Sequence, residues 1–288
     1  MAHMNPYPKM VYLNGEIVDA EAAKISVFDR GFLFGDGIYE VMVQINGHFF
    51  YEKAHLKRLD QCLEKINIVF DTGILPEEIG KLLKVADLVG KDCLLYIQIT
   101  RGVAPRQHSY PKNTKPTLMM YAISKILPAI NEVHASVITA PDFRWSRCDI
   151  KMTSLLGNVM ANELAMKQGH YETILVRNGM VTEASHCNVF FVKDQVVYTH
   201  PADTFILDGI TRQVTLRICH ELGIEVRQQA ISIADLVTMN EAFLTGTTTQ
   251  IASIRQIDAH RFYERDASGK ITKRIQQAFL ALKERVFI

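Results

Sequence analysis

Residues 171–199, YETILVRNGMVTEASHCNVFFVKDQVVYT, decide the fold class, because short apolar runs alternate there with turn-forming residues. Asn178-Gly179 separates two of these runs, and this dipeptide is typical of a tight hairpin turn since both residues tolerate positive φ. The stretch therefore predicts an antiparallel β-meander. Its strands are Tyr171–Arg177, Met180–Glu183, Asn188–Val192 and Val196–Thr199.

Helical periodicity flanks this strand-rich stretch. Ile210, Val214, Ile218 and Leu222 recur at the spacing of one helix face, and Gly223 is a typical C-terminal stop. Strands grouped together with helices at their flanks indicate an α+β fold rather than a doubly wound parallel sheet. The other predicted helices are Lys53–Ile66, Ser154–Lys167 and Ile271–Val286, and the other predicted strands are Val11–Leu13, Tyr39–Ile45, His48–Tyr51, Leu94–Thr100, Thr117–Ile123, Ala135–Ala140, a short strand running into Lys151, and Glu241–Thr245.

The domain boundary is predicted where this periodicity lapses. Residues 124–131, SKILPAIN, contain a proline and follow no regular pattern, which is typical of an interdomain linker. Residues 5–123 are then a small N-terminal α/β domain, and residues 132–288 are a larger C-terminal domain. A chain of 288 residues buries enough surface to fold without a disulfide or metal staple.

Composition excludes several protein classes. The net charge is +1 with no basic block, so no nucleic-acid partner is predicted, and no long apolar run predicts a membrane span. The five cysteines form no C-x-x-C pair and the ten histidines show no metal-ligand spacing. This pattern favours free thiols in a reducing cytoplasm and no metal site. The motifs H-E-x-x-H, G-x-S-x-G, G-x-G-x-x-G and a Walker loop are also absent from the sequence.

Two ionisable residues stand out by their surroundings. Lys151 ends the segment RWSRCDIK just before a predicted helix, and desolvation there would supply the free amine that forms an imine with a cofactor aldehyde. Glu183 lies among Val181 and Val189 in strands predicted to be half buried, where a carboxylate needs a cation such as a protonated pyridine nitrogen. Taken alone, each residue has an ordinary alternative: a solvated surface lysine and an edge-strand glutamate facing water.

Further segments favour the binding of anions. The segment LDGITR, residues 207–212, opens a helix whose free amides can hold a phosphate; residues 246–249, GTTT, add hydroxyl donors, and Arg58 adds a guanidinium. In the proline-bounded loop 101–116, Arg106 and His108 alternate, so in extended chain both side chains could point the same way and trap a carboxylate. An ordinary helix start, a surface ion pair and a solvated loop are the competing interpretations.

In this order and spacing, the segments resemble the fold-type IV pyridoxal-phosphate enzymes, which include D-amino-acid transaminases, branched-chain aminotransferases and aminodeoxychorismate lyases. The strongest stretches are DRGFLFGDGIYEV, from Asp29, and CDIK, ending at Lys151. VTE ending at Glu183, GITR from Gly209 and Thr247-Thr248 follow in the family's order. The resemblance implies two α/β domains, of which the second binds pyridoxal 5'-phosphate and is built on an antiparallel, barrel-like sheet.

The resemblance also implies residue roles toward the cofactor. Lys151 forms the Schiff base and carries the proton, and Glu183 pairs with the pyridine nitrogen. Leu207 packs on the cofactor ring. The phosphate is implied to be held by Arg58, the amides of Ile210 and Thr211, and Thr247.

Substrate contacts are implied by a different set of residues. Pro105-Arg106-x-His108 and Tyr39 resemble the substrate-carboxylate contacts of D-amino-acid transaminases. Relatives are dimers, so a homodimer is implied in which the loop carrying Arg106 and His108 reaches the neighbouring active site. The chain departs from the family at 184–187, where Ala-Ser-His-Cys replaces a run of small hydroxyl residues, at Gly246, where serine is common, and at Val43, where some relatives have lysine.

The implied activity is a ping-pong transfer of the amino group from D-amino acids to 2-oxo acids, with D-alanine and 2-oxoglutarate giving pyruvate and D-glutamate. A branched-chain L-amino-acid aminotransferase is one alternative, which would not need the Arg-x-His pair. An aminodeoxychorismate lyase is another, which would form product without a 2-oxo acid acceptor.

Overall fold

The computed structural model describes residues 7–264 and 267–285, and contacts between Cα atoms divide them into two units. The first unit runs to Ile126 and also takes in Ile150–Ser154; the second comprises Leu127–Asp149 and the chain from Leu155 onward. The linker at 124–131 and the domains on either side of it remain predictions. The two units differ from the two predicted domains in one respect: the segment that contains Lys151 belongs to the first unit.

The first unit is built on a six-stranded antiparallel sheet in the order β2-β1-β6-β5-β3-β4. Asn14 and Asn46, each followed by a glycine, have φ of 52° and 50°, and each lies in a tight turn that joins two paired strands. The amphipathic helices α2 and α3 bury their apolar faces in the core with the sheet. The elements are β1 (Met10–Leu13), β2 (Glu16–Asp19), α1 (Arg30–Phe34), β3 (Gly37–Ile45), β4 (His48–Phe49), α2 (Glu52–Lys65), a 3₁₀ turn (Thr72–Ile74), α3 (Leu75–Val85), β5 (Cys93–Thr100) and β6 (Thr117–Ser124).

The second unit is built on a nine-stranded mixed sheet. Its order is β12-β11-β10-β13-β14-β7-β8-β9, with β15 paired to β14. The pairs β14–β7, β7–β8 and β11–β12 are parallel and the others antiparallel. The elements are β7 (His134–Pro141), α4 (Leu156–Lys167), β8 (Glu172–Arg177), β9 (Met180–Ala184), β10 (Asn188–Lys193), β11 (Val196–Thr199), α5 (Ile210–Glu221), β12 (Val226–Gln228), a 3₁₀ helix (Ile233–Thr238), β13 (Glu241–Gly246), β14 (Gln250–Ile257), β15 (His260–Arg261) and α6 (Lys270–Arg285).

The predicted α+β fold is confirmed, but two local predictions need correction. The four strands of 171–199 form two hairpins, β8–β9 and β10–β11, with β13, β14 and β7 lying between β10 and β8 in the sheet. Periodicity and turn residues specify neighbouring strands, whereas pairing between distant strands depends on tertiary packing. The predicted strand before Lys151 is wrong, because residues 148–150 form a turn and a bend. No described helix has the length and apolar character to span a membrane.

Candidate active site

Lys151 lies in the first unit beside the ring of Tyr39. Its Nζ is 4.2 Å from the centroid of that ring, and its carbonyl oxygen accepts a hydrogen bond from Tyr39 N at 3.0 Å. Its own N–H donates to Cys62 Sγ at 3.4 Å. The next residue, Met152, forms a bridge with Ile38 of β3. The half-buried lysine is therefore anchored at its backbone, and the structure brings together two residues that the sequence predicted for one site.

Arg58, predicted to hold the phosphate, is oriented by the fully buried Glu40. Its Nε and Nη2 donate to the two carboxylate oxygens of Glu40 at 3.0 and 2.7 Å, and His55 Nδ1 lies 3.0 Å from the same carboxylate. Burial alone would raise the pKa of Glu40, but the Arg58 guanidinium and the hydrogen bond with His55 hold it well below its usual range. Burial lowers the pKa of His55, which favours its neutral form.

Sequence reasoning did not select Glu40. The available signal was a glutamate in the middle of the apolar run GIYEVMVQI of β3, since a buried carboxylate requires a partner. Tyr39 and Glu40 are consecutive in a strand, so their side chains point to opposite faces of the sheet. A role of Arg58 toward phosphate remains a prediction.

Arg106 and His108 are both exposed, and both lie against the ring of Phe34. The Arg106 guanidinium carbon is 5.1 Å from the centroid of that ring, and the His108 ring centroid is 5.8 Å from it. Arg30 Nη1 donates a hydrogen bond to Gln107 O at 2.7 Å, which anchors the backbone of the loop between Arg106 and His108. The two side chains contact one aromatic ring, as expected if they point the same way. No described carboxylate pairs with Arg106, which leaves its guanidinium available for an anion.

In the second unit, Glu183 is buried at the end of β9 and is surrounded by hydrogen-bond donors. Arg144 Nη1 donates to Glu183 Oε1 at 2.6 Å, while Asn188 Nδ2 and Leu207 N donate to Oε2 at 3.0 and 3.1 Å. Burial raises the pKa of Glu183 to about 7, and the Arg144 guanidinium opposes this rise. Glu183 is thus a buried carboxyl whose ionisation depends on the cations beside it.

Arg144, the partner of Glu183, is a second residue that sequence reasoning missed. It is itself buried, and Asp142 accepts hydrogen bonds from its Nε and Nη2 at 2.9 and 3.0 Å. Arg177 Nη2 donates to Arg144 O at 2.7 Å and lies 3.3 Å from Asp142 Oδ2. The signal was present as an arginine at the start of the segment that ends at Lys151, but nothing local to that segment indicated a partner 39 residues away.

The predicted phosphate segment at the start of α5 has the features of an anion site. No described side chain caps the helix at Gly209, so the first-turn amides of Ile210 and Thr211 retain their hydrogen-bonding capacity. A Cβ at Gly209 would clash with the Asn188 side-chain oxygen. Glycine is therefore required there by the close approach of Asn188, which is also a partner of Glu183.

Thr247 lies in the turn between β13 and β14 and is half buried. Its neighbour Gly246 is one of the family departures, and a Cβ there would lie 3.2 Å from Cys187 Sγ. The Cys187 sulfur would have to move by a few tenths of an ångström to admit a Cβ at position 246.

Within each unit taken by itself, the residues fit part of pyridoxal phosphate. A carboxylate offers about four lone-pair directions. On Glu183, three described donors occupy three of these directions, one on Oε1 and two on Oε2. One direction therefore remains for a pyridinium N–H. Lys151 supplies an amine, and α5 supplies uncapped amides for a phosphate.

Comparisons with known proteins agree with this chemistry. The family model described as "Amino-transferase class IV" matches residues 37–257. D-alanine aminotransferase from Staphylococcus epidermidis is 39% identical over 274 residues, covering 93% of this chain and 96% of the relative. D-alanine aminotransferase from Bacillus licheniformis is 36% identical over 271 residues, covering 93% of this chain and 95% of the relative.

Among solved structures, a branched-chain amino acid aminotransferase from Escherichia coli superposes with a TM-score of 0.88 at 26% identity, covering 96% of this chain and 95% of that one. The match to the family model extends over more than half of the chain, from β3 through β14. The chain therefore belongs to the class IV aminotransferases, which are pyridoxal-phosphate-dependent enzymes.

Proposed function

We propose that the chain transfers the amino group of D-amino acids, with D-alanine as donor, to 2-oxo acids such as 2-oxoglutarate. The observation that carries the proposal is the placement of Arg106 and His108 on the single ring of Phe34, where a guanidinium and an imidazole are presented together. Such a pair suits the carboxylate that every amino acid and 2-oxo acid substrate carries. The two D-alanine aminotransferases at 36–39% identity support the choice of D-amino acids.

Pyridoxal phosphate supplies, when bound, an electron sink that stabilises negative charge at the substrate α-carbon. Lys151 Nζ takes the α-proton of the amino acid and returns a proton as the general acid. Glu183, held by Arg144, would favour a proton on the ring nitrogen of the bound cofactor and so strengthen the sink. The amides of Ile210 and Thr211, with Arg58 and Thr247, would hold the phosphate, and Leu207 would pack on the ring.

The side of the α-carbon that faces the base is set by the carboxylate contacts. Arg106, His108 and Tyr39 fix the carboxylate, and Tyr39 also lies against the Lys151 amine. A donor held at its carboxylate presents its α-proton to Lys151 in one configuration only. The D or L preference therefore follows from where these three side chains bind the carboxylate relative to Nζ.

Half-reactions test the substrate assignment. We expect D-alanine and D-glutamate to convert the bound cofactor to its amino form, seen as a loss of the visible absorbance band, while L-alanine and L-leucine do so far more slowly. The ping-pong scheme predicts stoichiometric pyruvate from D-alanine before any acceptor is added. Addition of 2-oxoglutarate should then restore the band.

Two outcomes would assign the chain differently. Conversion by L-leucine but not by D-alanine would make it a branched-chain aminotransferase, an alternative favoured by the TM-score of 0.88 to the Escherichia coli enzyme. Pyruvate released from aminodeoxychorismate without any 2-oxo acid acceptor would make it a lyase.

We also propose that the protein is a homodimer in the cytoplasm. Helix α4 exposes Leu156, Val159 and Met160, with 72%, 59% and 55% of their surfaces accessible, and an apolar helix face of this kind suits a second copy. All five cysteines are unpaired, which supports a reducing compartment. In the dimer, the loop with Arg106 and His108 would serve the neighbouring active site.

Mixed dimers test whether the loop acts across the interface. Arg106→Ala should lower kcat/KM by about ten- to a hundredfold through poor placement of the carboxylate, and Lys151→Ala should be nearly inactive. If the loop acts in trans, dimers that combine the two variant chains regain one intact site. We expect co-expressed, doubly tagged mixed dimers to recover activity that neither variant has alone.

A loop that acts within its own chain gives the opposite result. Each site of the mixed dimer would then carry one defect, and no recovery over the Arg106→Ala protein would be seen. Light scattering on the same samples establishes whether they are dimers, and a monomeric protein with full activity would contradict the proposal.

A further inference from the structure

We propose that Glu172, His186 and Cys187 form a binding site for a divalent metal ion of the zinc class. One ligand atom from each of the three side chains lies within 4.8 Å of the other two. His186 Nδ1 is 2.6 Å from Glu172 Oε2. Oxygen, nitrogen and sulfur donors together suit Zn²⁺, which accepts all three, better than Mg²⁺ or Ca²⁺, which prefer oxygen.

The spacing is close to that of a tetrahedral site. Zinc bonds of about 2.0–2.3 Å place neighbouring ligand atoms about 3.3–3.6 Å apart. On zinc binding, ligand atoms that now lie up to 4.8 Å apart would move closer by about 1 Å. The 2.6 Å distance between His186 Nδ1 and Glu172 Oε2 would increase by less than 1 Å, and the ion would replace the proton that these two atoms share.

The carboxylate is oriented for this role by its other oxygen. Glu172 is fully buried, and Oε1 accepts hydrogen bonds from Thr173 N at 2.7 Å, Ser185 N at 3.2 Å and the Ser185 hydroxyl. Oε2 faces His186, where it accepts a hydrogen bond from the backbone N at 3.3 Å and lies 2.6 Å from Nδ1. Partners that fix a ligating carboxylate in this way are a regular part of metal sites.

The thiol of Cys187 also has a hydrogen-bond partner that is itself held by a neighbouring side chain. Cys187 Sγ lies 3.2 Å from Thr249 Oγ1, which in turn lies 3.4 Å from the hydroxyl of Tyr171. Cys187 is buried, whereas the side chain of His186 is 49% exposed. Solvent therefore reaches the site from the imidazole side, which gives an ion a path of entry and a fourth position for water.

The sequence predicted no metal site because Glu172 lies 14 residues before His186, outside any usual ligand spacing. The hairpin of β8 and β9 brings the two together. An ordinary buried ion pair accounts for Glu172 and His186, and a hydrogen bond with Thr249 accounts for the Cys187 thiol separately. The metal site accounts for all three side chains, and it does not depend on the proposed substrate.

The test uses the full-length protein loaded with pyridoxal phosphate and freed of excess cofactor and metal. We expect Zn²⁺, titrated in competition with a chromogenic chelator, to bind once per chain. Co²⁺ should produce a thiolate-to-metal charge-transfer band in the near ultraviolet. Cys187→Ser should abolish that band, and Cys187→Ser and His186→Asn should each weaken Zn²⁺ binding on the order of a hundredfold or more, since changes in outer partners alone cost about 10–100-fold.

Matched controls separate loss of a ligand from loss of the fold. Cys148→Ser and His220→Asn remove the same functional groups elsewhere in the second unit and should leave Zn²⁺ affinity unchanged. Circular dichroism should show all variants folded. The proposal is overturned if the wild-type protein binds no Zn²⁺, if Cys187→Ser binds it as tightly as the wild type, or if binding disappears in the cofactor-free protein, since the ion would then reside on the cofactor.

Discussion

Lys151→Ala lowers the rate of amino transfer from D-alanine by on the order of a thousandfold or more, because one substitution removes both the amine that carries the cofactor and the group that moves the α-proton. The measurement is a single-turnover assay of pyruvate formation, which separates chemistry from product release. Tyr39 keeps its place in β3, so substrate binding should be far less affected than kcat.

A second readout locates the cofactor independently of activity. Borohydride reduction followed by peptide mass spectrometry should find the cofactor on the peptide containing Lys151 in the wild-type protein and on no peptide of the variant. The matched control is Lys81→Ala, which removes a lysine whose side chain is 52% exposed on α3. We expect Lys81→Ala to retain full activity, and a cofactor label on a different lysine would refute the assignment.

Glu183→Gln lowers kcat by about a hundredfold, a loss similar to that of one charge-stabilising group in other active sites. A neutral amide no longer favours a proton on the ring nitrogen, so the electron sink weakens. Arg144 would also lose one of its two carboxylate partners while remaining buried. Steady-state kinetics with D-alanine measure the effect, and Glu225→Gln, at an exposed site, is the control.

The same substitution has a defined pH signature in the cofactor-free protein. The pKa of Glu183 is raised by burial from 4.5 to about 7, so the folded state binds this proton more tightly than the unfolded state. The stabilisation from this group is therefore complete below about pH 4.5 and is lost as the pH rises to about 7. The total change is on the order of 3 kcal/mol.

Glu183→Gln lacks this contribution, so the difference in unfolding free energy between the wild type and the variant separates the effect of Glu183 from that of the other carboxyl groups. Glu40, Asp36 and Asp142 have lowered pKa values and change stability in the opposite direction in both proteins. We expect the free energy of unfolding of the wild type, minus that of the variant, to decrease between pH 5 and 7. A difference that is constant across this range would show that Glu183 titrates near its ordinary value.

Sequence reasoning succeeded where the information is local. The turn at Asn178-Gly179 forms as predicted between β8 and β9, because asparagine and glycine tolerate the left-handed backbone that this turn requires. Helix α5 begins at Ile210 and ends before Gly223, which has φ of 65°. A shared role of Arg106 and His108 toward one carboxylate stays a prediction, although both side chains lie against Phe34.

Sequence reasoning failed where distant segments meet. Strand β14 was not predicted, although it lies in the middle of the nine-stranded sheet and separates β13 from β7. Glu40 and Arg144 were not selected, because a buried ion pair is visible only once both partners are placed.

The amino-acid sequence alone was sufficient for the α+β class, for the order of the motifs and for the resemblance to pyridoxal-phosphate enzymes, because turns, helix ends and motif spacing are properties of neighbouring residues. The tertiary structure was needed for the charge state of the site. It buries Glu183 beside Arg144 and Arg58 beside Glu40, and desolvation together with a charge at hydrogen-bond distance determines whether each group carries a proton.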